Sequence, residues 1–192
     1  MQLEPVTDTN YIHRVLHGDT GAFRFLVEKY QKMVYTLALK VTGNKEEAED
    51  AAQEVFVKCY RGLRSYDGRA AFSTWLYRIT YNHCVDVMKK NNRKWTEKWD
   101  ETGEMPDAGT WSFDEKMDLK EVKALLKDAI LRLSPDDQVI VTLYYFEELS
   151  LRDIAEVMGI KENNVKIKLY RMRSRLLELL QDKNEIISIL NL

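Results

Sequence analysis

The stretch at residues 160–180, IKENNVKIKLYRMRSRLLELL, concentrates positive charge in a chain that is slightly acidic overall. Six lysines and arginines and one acid lie between Lys161 and Arg175, whereas the whole chain has 29 basic and 31 acidic side chains. Positive charge grouped in this way is suited to binding phosphates, but a basic run can also be a plain solvated helix face. The secondary structure predicted around this stretch distinguishes between the two interpretations, a nucleic-acid-binding surface and an ordinary solvated helix face.

The other reactive side chains form no pattern typical of catalysis or metal binding. Cys59 and Cys84 are the only cysteines and lie far apart in the sequence, so neither a disulfide scaffold nor a four-ligand zinc site is indicated. His83 beside Cys84 cannot supply a structural site alone, and we read both as packing or chance. The sequence also has no glycine-rich phosphate loop and no nucleophile–base set. We therefore expect a protein that is not an enzyme and needs no cofactor or metal.

The composition is that of an ordinary globular protein, with 45% hydrophobic and 31% charged residues. No apolar run approaches the roughly 18 residues that a membrane span needs. The first residues, MQLEPVTDTNYIHRV, lack the apolar stretch of a signal peptide. We expect a cytoplasmic protein with no membrane insertion of its own.

Helical periodicity dominates the first half of the chain. Apolar residues recur at spacings of three and four from Phe23 to Val41, and Gly43-Asn44 ends this helix. A second helix, from about Lys45 to Arg61, combines a small apolar inner face with an acidic outer face. A third helix follows the turn signal Asp67-Gly68 and becomes basic towards its end. Its predicted inward residues are Phe72, Trp75, Leu76 and Ile79.

Periodicity disappears from about Trp95 to Met117, where glycines, a proline and many acids indicate a linker. It returns at Val122, and Ser134-Pro135 then starts a new helix. We predict an all-α protein of two small helical domains joined by a flexible acidic linker. The predicted ranges are an N-terminal extension at 1–18, a first domain at 19–95, the linker at 96–117, a second domain at 118–182 and a C-terminal tail at 183–192.

The second domain contains helix-turn-helix spacing. Ser150 and Asp153 cap the short helix LRDIAEVM, Gly159 ends it, and a second helix follows within a few residues. In this motif the second helix enters the major groove of DNA. The expected buried stripe of that helix is Val165, Leu169, Met172 and Leu176. The basic side chains remain on its other surface, so we interpret the basic stretch as facing DNA.

Three segments of the chain resemble the extracytoplasmic-function (ECF) group of alternative sigma factors in the sigma-70 family, promoter-recognition subunits of bacterial RNA polymerase. GDTGAFRFLVEKYQKMVY and AEDAAQEVFVKCY are similar to the region 2 helices that dock on the polymerase clamp. FSTWLYRITYNHCVD is similar to the segment that reads and melts the −10 element. LSPDDQVIVTLYYFEELSLRDIAEVMGIKENNVKIKLYRMRSRL is similar to region 4, which reads the −35 element. The family's usual glycine and threonine before the recognition helix are Asn163 and Asn164 here.

The resemblance implies three sets of binding residues. The polymerase-binding residues are expected to be Asp50, Gln53 and Glu54. The residues expected to bind the −10 element are Tyr77, Arg78, Tyr81, Asn82, Lys89, Lys90 and Arg93. The residues expected to bind the −35 element are Lys166, Lys168, Tyr170, Arg171, Arg173 and Arg175.

Helical spacing and side-chain chemistry indicate different roles for residues within these sets. Phe72 and Trp75 share core spacing with Ile79, whereas Tyr77, Arg78, Tyr81 and Asn82 are expected on other faces, where rings stack unpaired bases and cations hold the backbone. Asn82 matches the family position that contacts the extruded −10 base. In the basic helix, we expect Lys166, Lys168 and Arg171 to set −35 sequence choice and Arg173 and Arg175 to hold phosphates.

The resemblance implies an alternative sigma factor that binds core RNA polymerase, directs it to −35 and −10 promoter elements and helps melt the −10 region. Its expected partners are core RNA polymerase, promoter DNA and an anti-sigma factor. The acidic linker would lie near the RNA path, and the tail EIISILNL would cover region 4 or contact a regulator. The alternative is a free-standing helix-turn-helix regulator with an N-terminal effector or dimerisation lobe.

Overall fold

A computed structural model describes residues 7–90 and 126–179, and all regular structure in these ranges is helical. This confirms the predicted all-α class. The chain divides after Asp100 into two compact units. None of the described helices is long and apolar enough to cross a membrane. The predicted linker, the C-terminal tail and Arg93 lie outside the described residues.

Residues 7–90 of the first unit form four α-helices, and short 3-10 turns at Thr20–Ala22 and Leu63–Ser65 precede α2 and follow α3. Their bounds are Asp8–Leu16 (α1), Phe23–Thr42 (α2), Lys45–Gly62 (α3) and Phe72–Lys90 (α4). Gly43 ends α2 in the left-handed conformation, with φ of 66°, which glycine adopts without strain. The Asn44 side chain then accepts a hydrogen bond from the Glu47 N–H at 3.0 Å and begins α3. The predicted break at Gly43-Asn44 is confirmed.

A hydrophobic core forms where the four helices of the first unit meet. Phe72 is its aromatic centre, with its ring centroid 5.4 Å from that of Tyr30 and 5.7 Å from that of Trp75. The predicted packing roles of Phe72 and Trp75 are therefore confirmed. The buried residues of this core are Ile12, Val15, Ala22, Leu26, Tyr30, Val34, Val55, Cys59, Leu63, Phe72, Trp75 and Leu76.

Helix α1 is an element that the sequence analysis did not predict, because it lies within the expected N-terminal extension. Ile12 and Val15 place its inner face in the core of the first unit. At its start, the Asp8 carboxylate accepts hydrogen bonds from Lys29 Nζ and Tyr30 Oη, both at 2.6 Å. These contacts attach α1 to α2.

The second unit contains a helix described over residues 126–131 (α5), then Pro135–Val141 (α6), Leu151–Met158 (α7) and Glu162–Leu179 (α8). Two predicted capping serines are confirmed. Ser134 Oγ accepts from the Asp137 N–H at 3.3 Å, and Ser150 Oγ accepts from the Asp153 N–H at 3.1 Å. Each serine hydroxyl also donates to the carboxylate of the same aspartate. These reciprocal contacts fix where α6 and α7 begin.

The helix-turn-helix of the second unit consists of α7 and α8. Gly159 ends α7 with φ of 66°, and the Ile160 N–H donates to the Ala155 carbonyl at 3.1 Å. The predicted inner stripe of α8 is buried and consists of Val165, Leu169, Met172 and Leu176. The roll of α8 about its own axis is thereby fixed, and this decides which side chains face outward.

Buried Gln138 joins α6 to the end of α5. Its Nε2 donates to the carbonyls of Leu133 at 3.0 Å and Leu131 at 3.3 Å. These two carbonyls lie at a helix end, where intrahelical donors are missing. A polar residue inside an apolar stripe was the sequence signal for such a contact, and the sequence analysis did not use it.

Candidate nucleic-acid and polymerase interfaces

The outward face of α8 is centred on uncharged residues. Because successive residues turn by about 100° around a helix, Asn163, Ile167 and Tyr170 lie opposite the buried stripe. Ile167 is 41% exposed and Tyr170 is 73% exposed. Lys166 and Arg171 are also exposed and border this face. We call these five residues the outward face of α8.

Lys168 lies on one flank of α8 and points towards the start of α6. Its Nζ is 3.7 Å from Asp136 Oδ2 and 3.7 Å from Asp137 Oδ1. The Lys168 side chain is still 36% exposed, so its expected role at the −35 element stays a prediction. Two carboxylates brought close by the packing of α6 against α8 compete with any phosphate or base for this ammonium group.

Arg173 lies on the opposite flank and contacts a π-helical turn at Thr142–Phe146. Its Nε donates to Tyr145 Oη at 2.7 Å, and its guanidinium is 5.8 Å from the ring centroids of both Tyr144 and Tyr145. Arg173 is therefore partly covered by two rings of the turn, and its expected phosphate contact stays a prediction. Arg173 helps to hold α8 in place.

Arg175 remains exposed near the end of α8. Its guanidinium forms an ion pair with Glu178 Oε2 at 3.0 Å, one turn further along the same helix. Such an exposed pair contributes little to stability, so the guanidinium can exchange this partner for a phosphate. The structure thus separates the six predicted −35 residues into three on the outward face, two held on the flanks and Arg175 near the end.

Helix α4 presents a narrower polar face than the sequence analysis expected. Tyr77 is 2% exposed and Tyr81 is 8% exposed, so their predicted positions on an open face are wrong. The reason is a second buried stripe, at spacings of three and four, on the side of α4 nearly opposite the one that carries Phe72 and Trp75. The members of this second stripe are Thr74, Tyr77, Tyr81, Cys84 and Met88.

Three predicted −10 residues remain along one line of α4. Asn82 and Lys89 are exposed and Arg78 is half-buried. Spacings of four and seven residues place all three within about 40° of each other around the helix. Lys90 is exposed but points about 100° away from Lys89. The arrangement sets one amide between two cations, which is suited to a base edge flanked by phosphates.

His83 links α3 to α4 beside this line, a contact that the sequence analysis missed when it read His83 as packing or chance. Lys58 Nζ lies 2.7 Å from His83 Nδ1. Burial lowers the pKa of His83, the Lys58 charge lowers it further, and Glu54 and Asp86 oppose the shift. Because the Lys58 ammonium can only donate, Nδ1 is the acceptor and the imidazole is neutral.

We expect His83 to make stability depend on pH. The unfolded chain has an ordinary histidine pKa of about 6.5, so it binds a proton more readily than the folded protein. The contribution of His83 is therefore complete above about pH 6.5 and is lost as the pH falls. Between about pH 7 and pH 5, the unfolding temperature of His83→Gln should fall less than that of the wild type. His13→Gln, on the exposed side of α1, is the control, and an equal decline in both variants would contradict this role.

The cysteines carry no reactive chemistry in the folded protein. Cys59 and Cys84 are both fully buried. Burial raises the pKa of each thiol to about 12, so the reactive thiolate is scarce at neutral pH. Among the described residues, no group of three or more metal-ligating side chains is close enough to hold an ion.

The predicted polymerase-binding residues lie together on the exposed side of α3. Asp50, Gln53 and Glu54 are all exposed, opposite the buried residues Ala48, Ala51, Val55 and Cys59. We call these three residues the acidic face of α3. The face continues along the helix into an apolar surface groove that the sequence analysis did not predict. That groove is lined by Phe23, Phe56, Val57, Tyr60 and Arg61.

Two family models match the chain, sigma-70 region 2 at residues 26–94 and sigma-70 region 4 at residues 123–176. The ECF RNA polymerase sigma factor SigW of Bacillus subtilis is 33% identical over 179 residues, which cover 89% of this chain and 95% of that protein. The RNA polymerase sigma-H factor of Pseudomonas aeruginosa is 34% identical over 184 residues, which cover 91% and 94% respectively.

Solved structures share the fold. CnrH in complex with the cytosolic domain of CnrY has a TM-score of 0.62 at 19% identity and covers 92% of this chain and 98% of that chain. The sigma factor RpoE in complex with the anti-sigma factor NepR, from Bartonella quintana, has a TM-score of 0.61 at 23% identity and covers 84% and 98%. With both sigma-70 regions present in order and curated relatives matched along nearly their whole length, the chain belongs to the ECF sigma factors of the sigma-70 family, which direct RNA polymerase to promoters.

Proposed function

We propose that this sigma factor divides its work between three helix surfaces. The acidic face of α3 binds core RNA polymerase, the polar line of α4 binds the unpaired −10 strand, and the outward face of α8 reads the −35 element. One observation carries the proposal. In the matched regions 2 and 4, each of these three helices is packed into its unit by buried residues and keeps the named polar side chains at exposed or half-buried positions away from them.

Strand opening on this account needs binding and no covalent step. Unstacking a base costs a few kcal/mol, and favourable contacts to the extruded base offset that cost, so the open state becomes more populated. Asn82 supplies an amide that donates and accepts at once, and Arg78 and Lys89 supply charge for the flanking phosphates. Tyr77 and Tyr81 are buried, so they are not part of the proposed stacking surface.

An anti-sigma factor is a further proposed partner. The structural relative RpoE of Bartonella quintana was solved in complex with the anti-sigma factor NepR. In this chain, the groove beside the acidic face of α3 exposes Val57 and Tyr60 by 40% and 42%. A regulator that covered both surfaces would block polymerase binding directly.

Core binding together with transcription tests the function as a whole. The purified chain should retain core RNA polymerase in a pull-down and should start run-off transcription from a matched promoter. Core polymerase alone should give no specific start on the same template. A chain that binds the promoter without core polymerase, and adds no transcript when core polymerase is present, would instead be a free-standing helix-turn-helix regulator.

We expect Arg171 and Arg175 to differ in the kind of DNA contact they make. Arg171 borders the outward face of α8, where a bidentate guanine contact is worth about 1–3 kcal/mol of discrimination. Arg171→Ala in the holoenzyme should therefore relax preference at one −35 base pair. Arg175→Ala should weaken all sequences alike and flatten the salt dependence by roughly one charge. Equal, sequence-independent losses in both variants, measured by binding to −35 variants at several salt concentrations, would contradict this division.

A further inference from the structure

Ile167 and Tyr170 are unusual within the described part of the second unit. They are the only large hydrophobic side chains there that are clearly exposed, at 41% and 73%. The stripe of α8 that packs against the rest of the unit is complete without them, since Val165, Leu169 and Met172 are at most 4% exposed. Neither exposed side chain is thus needed for the fold.

Exposure of one apolar residue carries little information by itself. The position of Ile167 on α8 is more informative. It lies in the N-terminal half of α8, at the centre of the outward face. In a helix-turn-helix, that half of the second helix lies nearest the base edges in the major groove. Lys166 and Arg171 flank it with positive charge, which suits an anionic groove and disfavours a basic protein surface.

The flanks of α8 are held so that this side chain stays central. Lys168 is drawn towards Asp136 and Asp137 on one side. Arg173 is bound by Tyr145 on the other. A rotation of α8 that replaced Ile167 by a charged side chain at the groove floor would break the hydrogen bond between Arg173 and Tyr145 and expose the buried stripe.

The major groove offers one apolar group to such a side chain, the C5-methyl of thymine. We infer that Ile167 reads a thymine methyl in the −35 element and that Tyr170 packs beside it against the same strand. Ile167 is therefore a specificity-determining residue that a search for charged side chains overlooks. The inference rests on the proposed reading of the −35 element by the outward face of α8.

Removing single methyl groups from DNA tests this contact. Holoenzyme made from core RNA polymerase and the full chain first selects its preferred duplex from a library randomised over the −35 element. Each thymine in the selected element is then replaced by deoxyuridine, which lacks the methyl group and keeps every hydrogen-bonding atom. One replacement should weaken wild-type binding about three- to fivefold, the effect expected for one buried methyl group.

The Ile167→Ala holoenzyme should bind the thymine duplex about three- to fivefold more weakly than the wild-type holoenzyme does. Replacing thymine by deoxyuridine should then cause no further loss of affinity for this variant. Leu16→Ala is the matched control, because Leu16 is 39% exposed on α1 and should leave the deoxyuridine effect unchanged. Ile167→Val keeps part of the apolar surface and should lie between the wild type and Ile167→Ala. Thermal unfolding of each variant checks that folding is intact.

Several results would overturn the inference while leaving the proposed function standing. They are a selected −35 element without thymine, full tolerance of every deoxyuridine, and an Ile167→Ala holoenzyme that remains sensitive to deoxyuridine. A further contrary result is that Ile167→Ala impairs assembly with core polymerase and leaves the −35 preference intact. That result would assign Ile167 to a protein interface and would also overturn the inference. If no −35 base-pair change affects holoenzyme binding, the proposed function itself fails.

Discussion

Lysines in place of Asp50, Gln53 and Glu54 should weaken binding to core RNA polymerase by about 100-fold or more, because an acidic face suits a basic partner surface and like charges brought together in an interface cost several kcal/mol. All three side chains are exposed on α3, and the residues that pack α3 into the core lie on its other side. The helical fold should therefore survive the change. Core affinity measured by fluorescence anisotropy of labelled chain gives the effect.

The control for this charge reversal needs a similar change of charge at a distant place. Asp128 and Glu156 are exposed on α5 and α7, outside the segments that resemble the clamp-docking helices. Lysines at these two positions should leave core affinity within about twofold of the wild type, because neither side chain lies on the acidic face of α3 and exposed charge changes cost little stability. Unchanged affinity in the triple variant would remove the polymerase-binding role from the acidic face of α3.

Alanine at Asn82 should impair promoter opening by about 1–3 kcal/mol, the value of a specific contact to a base edge. The amide is exposed on α4 between Arg78 and Lys89, so its loss removes hydrogen bonds to the DNA and creates no cavity in the core. Permanganate reactivity of −10 thymines reports the fraction of open complex. Binding to duplex −35 DNA should change little.

Asp86→Ala is the matched control for Asn82, because Asp86 is exposed one turn further along α4. We expect this variant to open promoters at least as well as the wild type, since it removes a negative charge beside the DNA path. Asn82→Asp distinguishes the hydrogen-bond donor role of the side chain from its acceptor role, because aspartate keeps the shape of asparagine and lacks its N–H groups. Normal opening by Asn82→Ala on every −10 base variant would make Asn82 a structural residue.

Local signals in the sequence predicted several helix boundaries of the described residues, although α1 was not predicted. Gly43-Asn44 ends one helix and begins the next through backbone conformation and a side-chain cap, both of which depend on neighbouring residues only. The serine caps of α6 and α7 are local in the same sense. The buried stripe of α8 followed from spacing alone.

Contacts between distant residues could not be read in the same way. Arg173 and Tyr145 are 28 positions apart, and Lys168 is held by acids on another helix. Charge patterning treats these cations as surface residues because it cannot say which helix packs beside them. The π-helical turn that carries Tyr144 and Tyr145 likewise leaves no periodic signal in the sequence.

The second buried stripe of α4 explains the largest error in the predicted −10 site. One apolar stripe on a helix usually leaves the other faces to solvent, so Tyr77 and Tyr81 were assigned to DNA. Spacings of three and four through Thr74, Tyr77, Tyr81, Cys84 and Met88 were present in the sequence. The helix is therefore buried over more than one face, and aromatic residues with polar tips conceal that pattern.

The central claim is that this chain enables core RNA polymerase to open promoter DNA at the −10 element. Fluorescence of 2-aminopurine placed in the −10 element of a duplex promoter measures base unstacking directly. Core polymerase with the wild-type chain should raise the signal, whereas core polymerase alone and core polymerase with the α3 triple-lysine variant should not. A signal that is equal with and without the chain, on a promoter that the holoenzyme demonstrably binds, would contradict the account.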